Sequence, residues 1–124
     1  MAYILIGIAG ALGAVSRYSI GLWIPQGDGF PFATLLINLS GSFLLSWLTT
    51  NLFLRLHLSQ ALKTAIGTGF VGSFTTFSAL SVETVHLLNA GKILAGLFYV
   101  MASLLGGLIC TYLGFKKAEA REKI

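Results

Sequence analysis

The sequence predicts an all-α membrane protein of four transmembrane helices, the third of them broken near its centre. Three observations carry that prediction. Charged residues make up only 10% of the 124 and hydrophobic ones 56%. A soluble domain carries roughly 25% charged residues, so this chain has too few to cover a water-facing surface. Mean hydropathy is +0.86, which makes lipid the solvent for most of the chain. The apolar residues gather in four stretches, 2–24, 32–54, 61–88 and 93–115, and the third holds the glycine- and hydroxyl-rich run "GTGFVGSFTTFS" from Gly67 to Ser78.

The first stretch is read as a retained span rather than a signal peptide, because no basic region precedes it and its apolar run is too long. Its 23 residues rise about 35 Å as a helix, enough to cross with some tilt. Gly7, Gly10 and Gly13 give it a small-residue face suited to close helix packing. Arg17 has two readings of equal weight. It either snorkels to the interface or attracts anions. Pro25, Gly27, Asp28, Gly29 and Pro31 punctuate the link that follows.

The second stretch carries Thr34, Asn38, Ser42, Ser46 and Thr50 at every fourth position, which places them on one broad helix face. Such a stripe serves as helix–helix glue, the commoner case, or as the wall of a wet pathway. Asn38 favours the pathway, because its amide carries two N–H donors that need partners deep in the membrane. The links "RLHLSQ" and "NAGK" are short, so neighbouring spans run antiparallel.

The 28 residues of the third stretch would make a helix of about 42 Å, longer than the roughly 30 Å hydrocarbon core. Glycine costs about 1 kcal/mol against alanine in a helix, and clustered Thr and Ser offer the backbone local alternatives. Two half-helices near 62–71 and 77–88 are therefore expected, with a non-helical break over about 72–76. Unwound backbone at that depth must be buried by protein or satisfied by an ion.

The fourth stretch has Gly106 and Gly107 for packing and Cys110, the single cysteine, as a small apolar filler. The polar tail 116–124 either continues as a short helix or frays. Four spans enclose little volume, so an oligomer is expected.

The polar inventory of the spans is hydroxyls, amides and one guanidinium, with Glu83 the only acid. That set suits an anion better than a cation or a proton relay. Glu83 is placed in a vestibule, with a proton carrier as the alternative, and His86 at the interface. Phe77 follows the break, and the positive edge of its ring can contact a small anion. The net charge of +4 forms no basic stripe interleaved with aromatics, which argues against nucleic acid.

The segments "GALGAVSRY", "NLSGS" and "GFVGSFTTFSALSVE", in that order over the whole chain, resemble the Fluc/CrcB family of fluoride channels. The resemblance implies an antiparallel dimer of four-helix subunits that passively exports toxic fluoride. It implies a structural sodium ion at the dimer centre, held by backbone carbonyls that map to Gly72 and Thr75. Its anion path would use Asn38 and Phe77, hydroxyls including Ser78, Ser103 and Thr111, and Arg17 as the family's first-span arginine. Donors must replace fluoride's tightly held water yet let the ion leave.

This chain departs from the family pattern at two places. The family's Phe-Ser-Thr-Phe reads Phe77-Ser78-Ala79-Leu80, and its fourth-span hydroxyl line reads Ser103, Gly107, Thr111. A homodimer would repeat both losses in both pores. With the termini on one side, that side carries Arg55, Lys63, Lys116, Lys117, Arg121 and Lys123, against Lys92 and at most Arg17 on the other. The positive-inside rule then puts both termini in the cytoplasm. So strong a bias suggests a fixed-orientation subunit paired with an oppositely oriented paralogue. A non-conducting or half-active partner subunit is the alternative to a full channel. A small multidrug exporter is disfavoured, since such exporters need a first-span carboxylate and this span has none.

Overall fold

Long apolar runs joined by short links leave an up-and-down bundle as the available arrangement. The computed structural model describes residues 1–24 and 29–122. Among these, four helices are long and apolar enough to cross a membrane: Ala2–Trp23, Phe32–Arg55, Gln60–Asn89 and Ile93–Lys117. This is the all-helical architecture that composition demanded. The last helix runs on to Glu122, so the polar tail extends it. Pro25, Gly27 and Asp28 of the first link lie outside the described residues.

The turn between the third and fourth spans shows why "NAGK" stops a helix. Gly91 has φ +79, its N–H donates to Leu88 O, and the N–H of Lys92 donates to Leu87 O at 2.9 Å. This is a Schellman closure, with glycine at the left-handed position that an L side chain resists.

Glycine contacts set which spans touch. The first span packs on the third and the second on the fourth. A Cβ at Gly13 would run into Phe70 O, and one at Gly69 would lie 2.9 Å from Ile6 O. On the other side, a Cβ at Gly106 would meet Leu39 Cδ2 at 2.7 Å, and one at Gly114 would strike Ser46 Oγ. Contacts this close leave no room for a methyl group unless a neighbour moves. Gly7 does not belong to the expected small-residue face, since nothing lies within 4 Å of its Cβ position. A cluster of Leu48, Phe53 and Val71, flanked by Trp47 and Phe70, joins the end of the second span to the start of the third.

The third span departs from the expected outline. It is α-helical over Gln60–Thr64 and π-helical over Ala65–Val71. It is α-helical again at Gly72–Phe74 and resumes as an α-helix over Phe77–Asn89. Only Thr75 (φ −84, ψ 157) and Thr76 (φ −150, ψ 123) are extended. The expected break over 72–76 is thus too wide, and Gly72 itself is helical, at φ −62 and ψ −34. The glycine-rich part widens to a π-helix, in which each N–H still finds an acceptor one residue further back, as Gly72 N–H does at Gly67 O. Glycine here allows contact with the first span; the loss of helix falls on the two threonines.

Candidate functional site

An interruption between helices leaves the last four carbonyls of one and the first N–H groups of the other without internal partners. In lipid those groups must be satisfied by protein, and side chains from two neighbouring spans do this. Asn38 on the second span pairs with the Thr76 backbone in both directions. Its Nδ2 donates to Thr76 O at 3.0 Å, and its Oδ1 accepts from Thr76 N–H at 2.8 Å. Thr76 Oγ1 in turn accepts from Ala79 N–H at 3.2 Å and caps the helix that follows. Arg17 on the first span donates from Nε to Ser73 O at 3.2 Å. It is half-buried, and this bond was not foreseen by either reading of its charge.

These bonds decide which carbonyls stay bare. A continuous helix would bring Thr76 N–H to Gly72 O and Ala79 N–H to Thr75 O. Both donors are diverted, the first to Asn38 and the second to the Thr76 hydroxyl. Gly72 and Thr75 line an open cavity of ≈ 250 Å³ together with Asn38, Ser42, Phe77 and Leu80. Among the described residues no cluster of His, Cys, Asp or Glu could hold a metal, so a cation here would rest on backbone oxygens. Two carbonyls whose helical donors are diverted, in residues that line one cavity, fit a hard cation, which prefers oxygen ligands.

Phe77 lies at the rim of this cavity, 79% exposed in the single chain. Ser78 is exposed, and the cavity lining does not include it. Ser103 Oγ is buried without a hydrogen-bond partner, while Thr111 Oγ1 donates to Gly107 O at 2.8 Å. Gly107 faces the second span, where its Cβ would lie 3.8 Å from Ser42 Oγ. The structure therefore gathers Asn38, Gly72, Thr75 and Phe77 in one place and leaves Ser78 apart from them.

The polar stripe of the second span divides in two. Ser42 donates to Asn38 O, Ser46 to Phe43 O and Thr50 to Ser46 O, all within their own helix. Thr34 and Asn38 reach across to the third span. Thr34 Oγ1 donates to Glu83 Oε1 at 2.8 Å, and Tyr99 Oη donates to Glu83 Oε2 at 2.7 Å. Glu83 is half-buried, with both oxygens accepting from hydroxyls. Arg17, Thr34, Thr76 and Glu83 line a second cavity of ≈ 270 Å³ on the first-span side.

Tyr99, fully buried, is the participant that sequence reasoning missed. A signal existed: Glu83 and Tyr99 lie equally far on either side of Gly91, so an antiparallel hairpin sets them level.

An interruption pinned from both sides by neighbouring spans, between two cavities that each carry a few polar side chains, defines an integral membrane protein organised around an interrupted span. The chain belongs to the family described as CrcB-like protein, Camphor Resistance (CrcB), whose model matches residues 4–115. It is 55% identical over 111 residues to Fluoride-specific ion channel FluC 1 of Desulfitobacterium hafniense, covering 90% of this chain and 97% of that one. It is 56% identical over 115 residues to the FluC 1 of Bacillus thuringiensis subsp. konkukian, covering 91% and 84%. To Fluoride-specific ion channel FluC 2 of Geobacillus kaustophilus it is 48% identical over 125 residues, covering 99% and 97%.

Proposed function

We propose that this chain is a subunit of a fluoride-selective channel that lets fluoride leave the cell passively and so lowers its toxicity in the cytoplasm. The observation that carries the reading is the double hydrogen bond between Asn38 and Thr76, in a chain 55% identical to a relative named as a fluoride-specific ion channel. That pairing borders a cavity whose lining includes Asn38, Ser42, Thr75 and Thr76 and no carboxylate. A small, strongly hydrated anion needs several neutral donors and an aromatic edge there. The anion path runs by Asn38, Phe77 and Ser78 to Ser103 and Thr111, with Arg17 flanking the interruption from the first span. The hydroxyl of Ser103, buried with no partner within the chain, keeps a donor to spare for this path.

The working unit is an antiparallel dimer in the cell membrane, with both termini of this subunit in the cytoplasm. Exposure of Phe77 and Gly72 at the cavity supports a neighbour there. The carbonyls of Gly72 and Thr75, from each of two inverted subunits, would hold a structural sodium ion that balances their dipoles and is not transported.

A second reading, a half-active or non-conducting subunit in a heterodimer with an oppositely oriented paralogue, has its own support. Leu80 lines the cavity where the family pattern has an aromatic, and Gly107 offers Ser42 no hydroxyl. Fluoride release from liposomes, followed with a fluoride electrode, tests both readings. Flux from the chain alone, with chloride excluded, supports the homodimer. Flux only with an added paralogue supports the second reading, and no fluoride flux in either preparation overturns both.

A further inference from the structure

The hydrogen bond from Arg17 to Ser73 suggests a role for this arginine that neither anion attraction nor snorkelling describes. Four consecutive carbonyls, from Gly72 to Thr75, end the helix before the interruption. They are not equivalent. Gly72 and Thr75 line the cavity on the second-span side. Ser73 belongs to the opposite face: its oxygen accepts from Arg17 Nε at 3.2 Å, and its hydroxyl lies 3.2 Å from the Cβ position of Gly10 on the first span. The next residue after Thr75 is clamped from the second span by Asn38. The interruption is held by one side chain from each direction.

We propose that Arg17 is a positioning residue, whose guanidinium holds Ser73 O against the first span and so leaves the carbonyls of Gly72 and Thr75 on the cavity face. The carbonyls that end a helix have no donor within it, and a charged donor on one of them fixes how that end is seated. Arginine suits this better than lysine, because its planar fork holds direction as well as charge. The η nitrogens can still face the second cavity, where Thr34 and Glu83 also lie. The Glu83 carboxylate is engaged by Thr34 and Tyr99 and does not supply the partner that Ser73 O does. The functional half of this inference rests on the channel reading; the structural half does not.

Three variants separate positioning from attraction: Arg17→Ala, Arg17→Gln and Arg17→Lys, each purified as the full chain in detergent. Hydrogen exchange over residues 72–80 reads the structural half. Arg17→Ala should speed exchange there on the order of tenfold, with residues 93–117 unchanged as the folding control. Arg17→Gln keeps a planar donor without charge and should recover most of the protection, whereas Arg17→Lys should recover less. Fluoride release should follow the same rank, Gln above Lys, at both low and high ionic strength.

Attraction alone predicts the reverse rank, with losses that shrink as salt screens the charge. Unchanged exchange in Arg17→Ala, or Lys outranking Gln, would overturn the proposal. A wild-type chain silent towards fluoride, with or without a paralogue, would instead sink the channel reading, and the exchange data would still decide the structural half.

Discussion

The third span departs from α-helical geometry twice, and the two departures differ in kind. Over Ala65–Val71 the chain is rich in glycine and keeps its backbone bonds to itself, in a widened π register. At Thr75 and Thr76 there is no glycine; Thr76 gives both backbone groups to Asn38, and Ala79 N–H turns to the Thr76 hydroxyl. The first region serves packing, since Gly69 and Phe70 lie where the first span comes closest. The second exposes carbonyls beside a cavity. Glycine accompanies both regions, Gly41 and Gly72 lining the cavity, so glycine alone does not mark the site. Hydroxyl side chains that can replace a helical hydrogen bond, next to an amide on a facing helix, mark it instead.

The largest expected effect breaks the packing region. Gly13→Ala places a methyl group on Phe70 O, a backbone atom that cannot move aside alone. A loss of about 3 kcal/mol is expected, seen as a large fall in thermal midpoint or as failure to recover monodisperse protein. Next comes the site. Asn38→Ala leaves both the N–H and the carbonyl of Thr76 unpaired, for about 2 kcal/mol. Hydrogen exchange should rise at residues 75–79 and not at 65–71, so equal rises in the two regions would erase the distinction drawn here.

A smaller effect belongs to Thr76→Val, which removes the cap on Ala79 N–H at about 1 kcal/mol. Thr76→Ser should restore it, as judged by thermal unfolding of the two variants side by side. The smallest is Gly7→Ala, where the methyl group meets nothing within 4 Å. It should be neutral or stabilise by up to about 1 kcal/mol through helix propensity. A substantial loss there would mean that the exposed face of the first span is covered in the assembly.

Much of the fold was legible in the chain. Four apolar runs, short links and a glycine after the third span fix the number of crossings and their alternation, because lipid leaves a spanning segment little choice but helix. The motifs around Arg17, Asn38 and Thr75 likewise pointed to the family that residues 4–115 match. The width of the interruption was misread, since propensity counts Gly72 and Ser73 against helix and cannot see that Gly72 N–H still finds Gly67 O while Asn38 takes the backbone of Thr76 alone. The partners of Glu83 were not legible for a related reason: Thr34 and Tyr99 come to it from two other helices.

Solvent and periodicity act through the chain itself, so the sequence alone determined that this protein is four membrane helices with a polar section inside the third. Which residues leave the helix, and which carbonyls keep no partner, depended on donors far away in the chain. Asn38 lies 38 residues from Thr76 and Arg17 lies 56 from Ser73. Hydrogen bonds are short-ranged and directional, so only the packed bundle could choose between Gly72 and Thr75 on one face and Ser73 on the other.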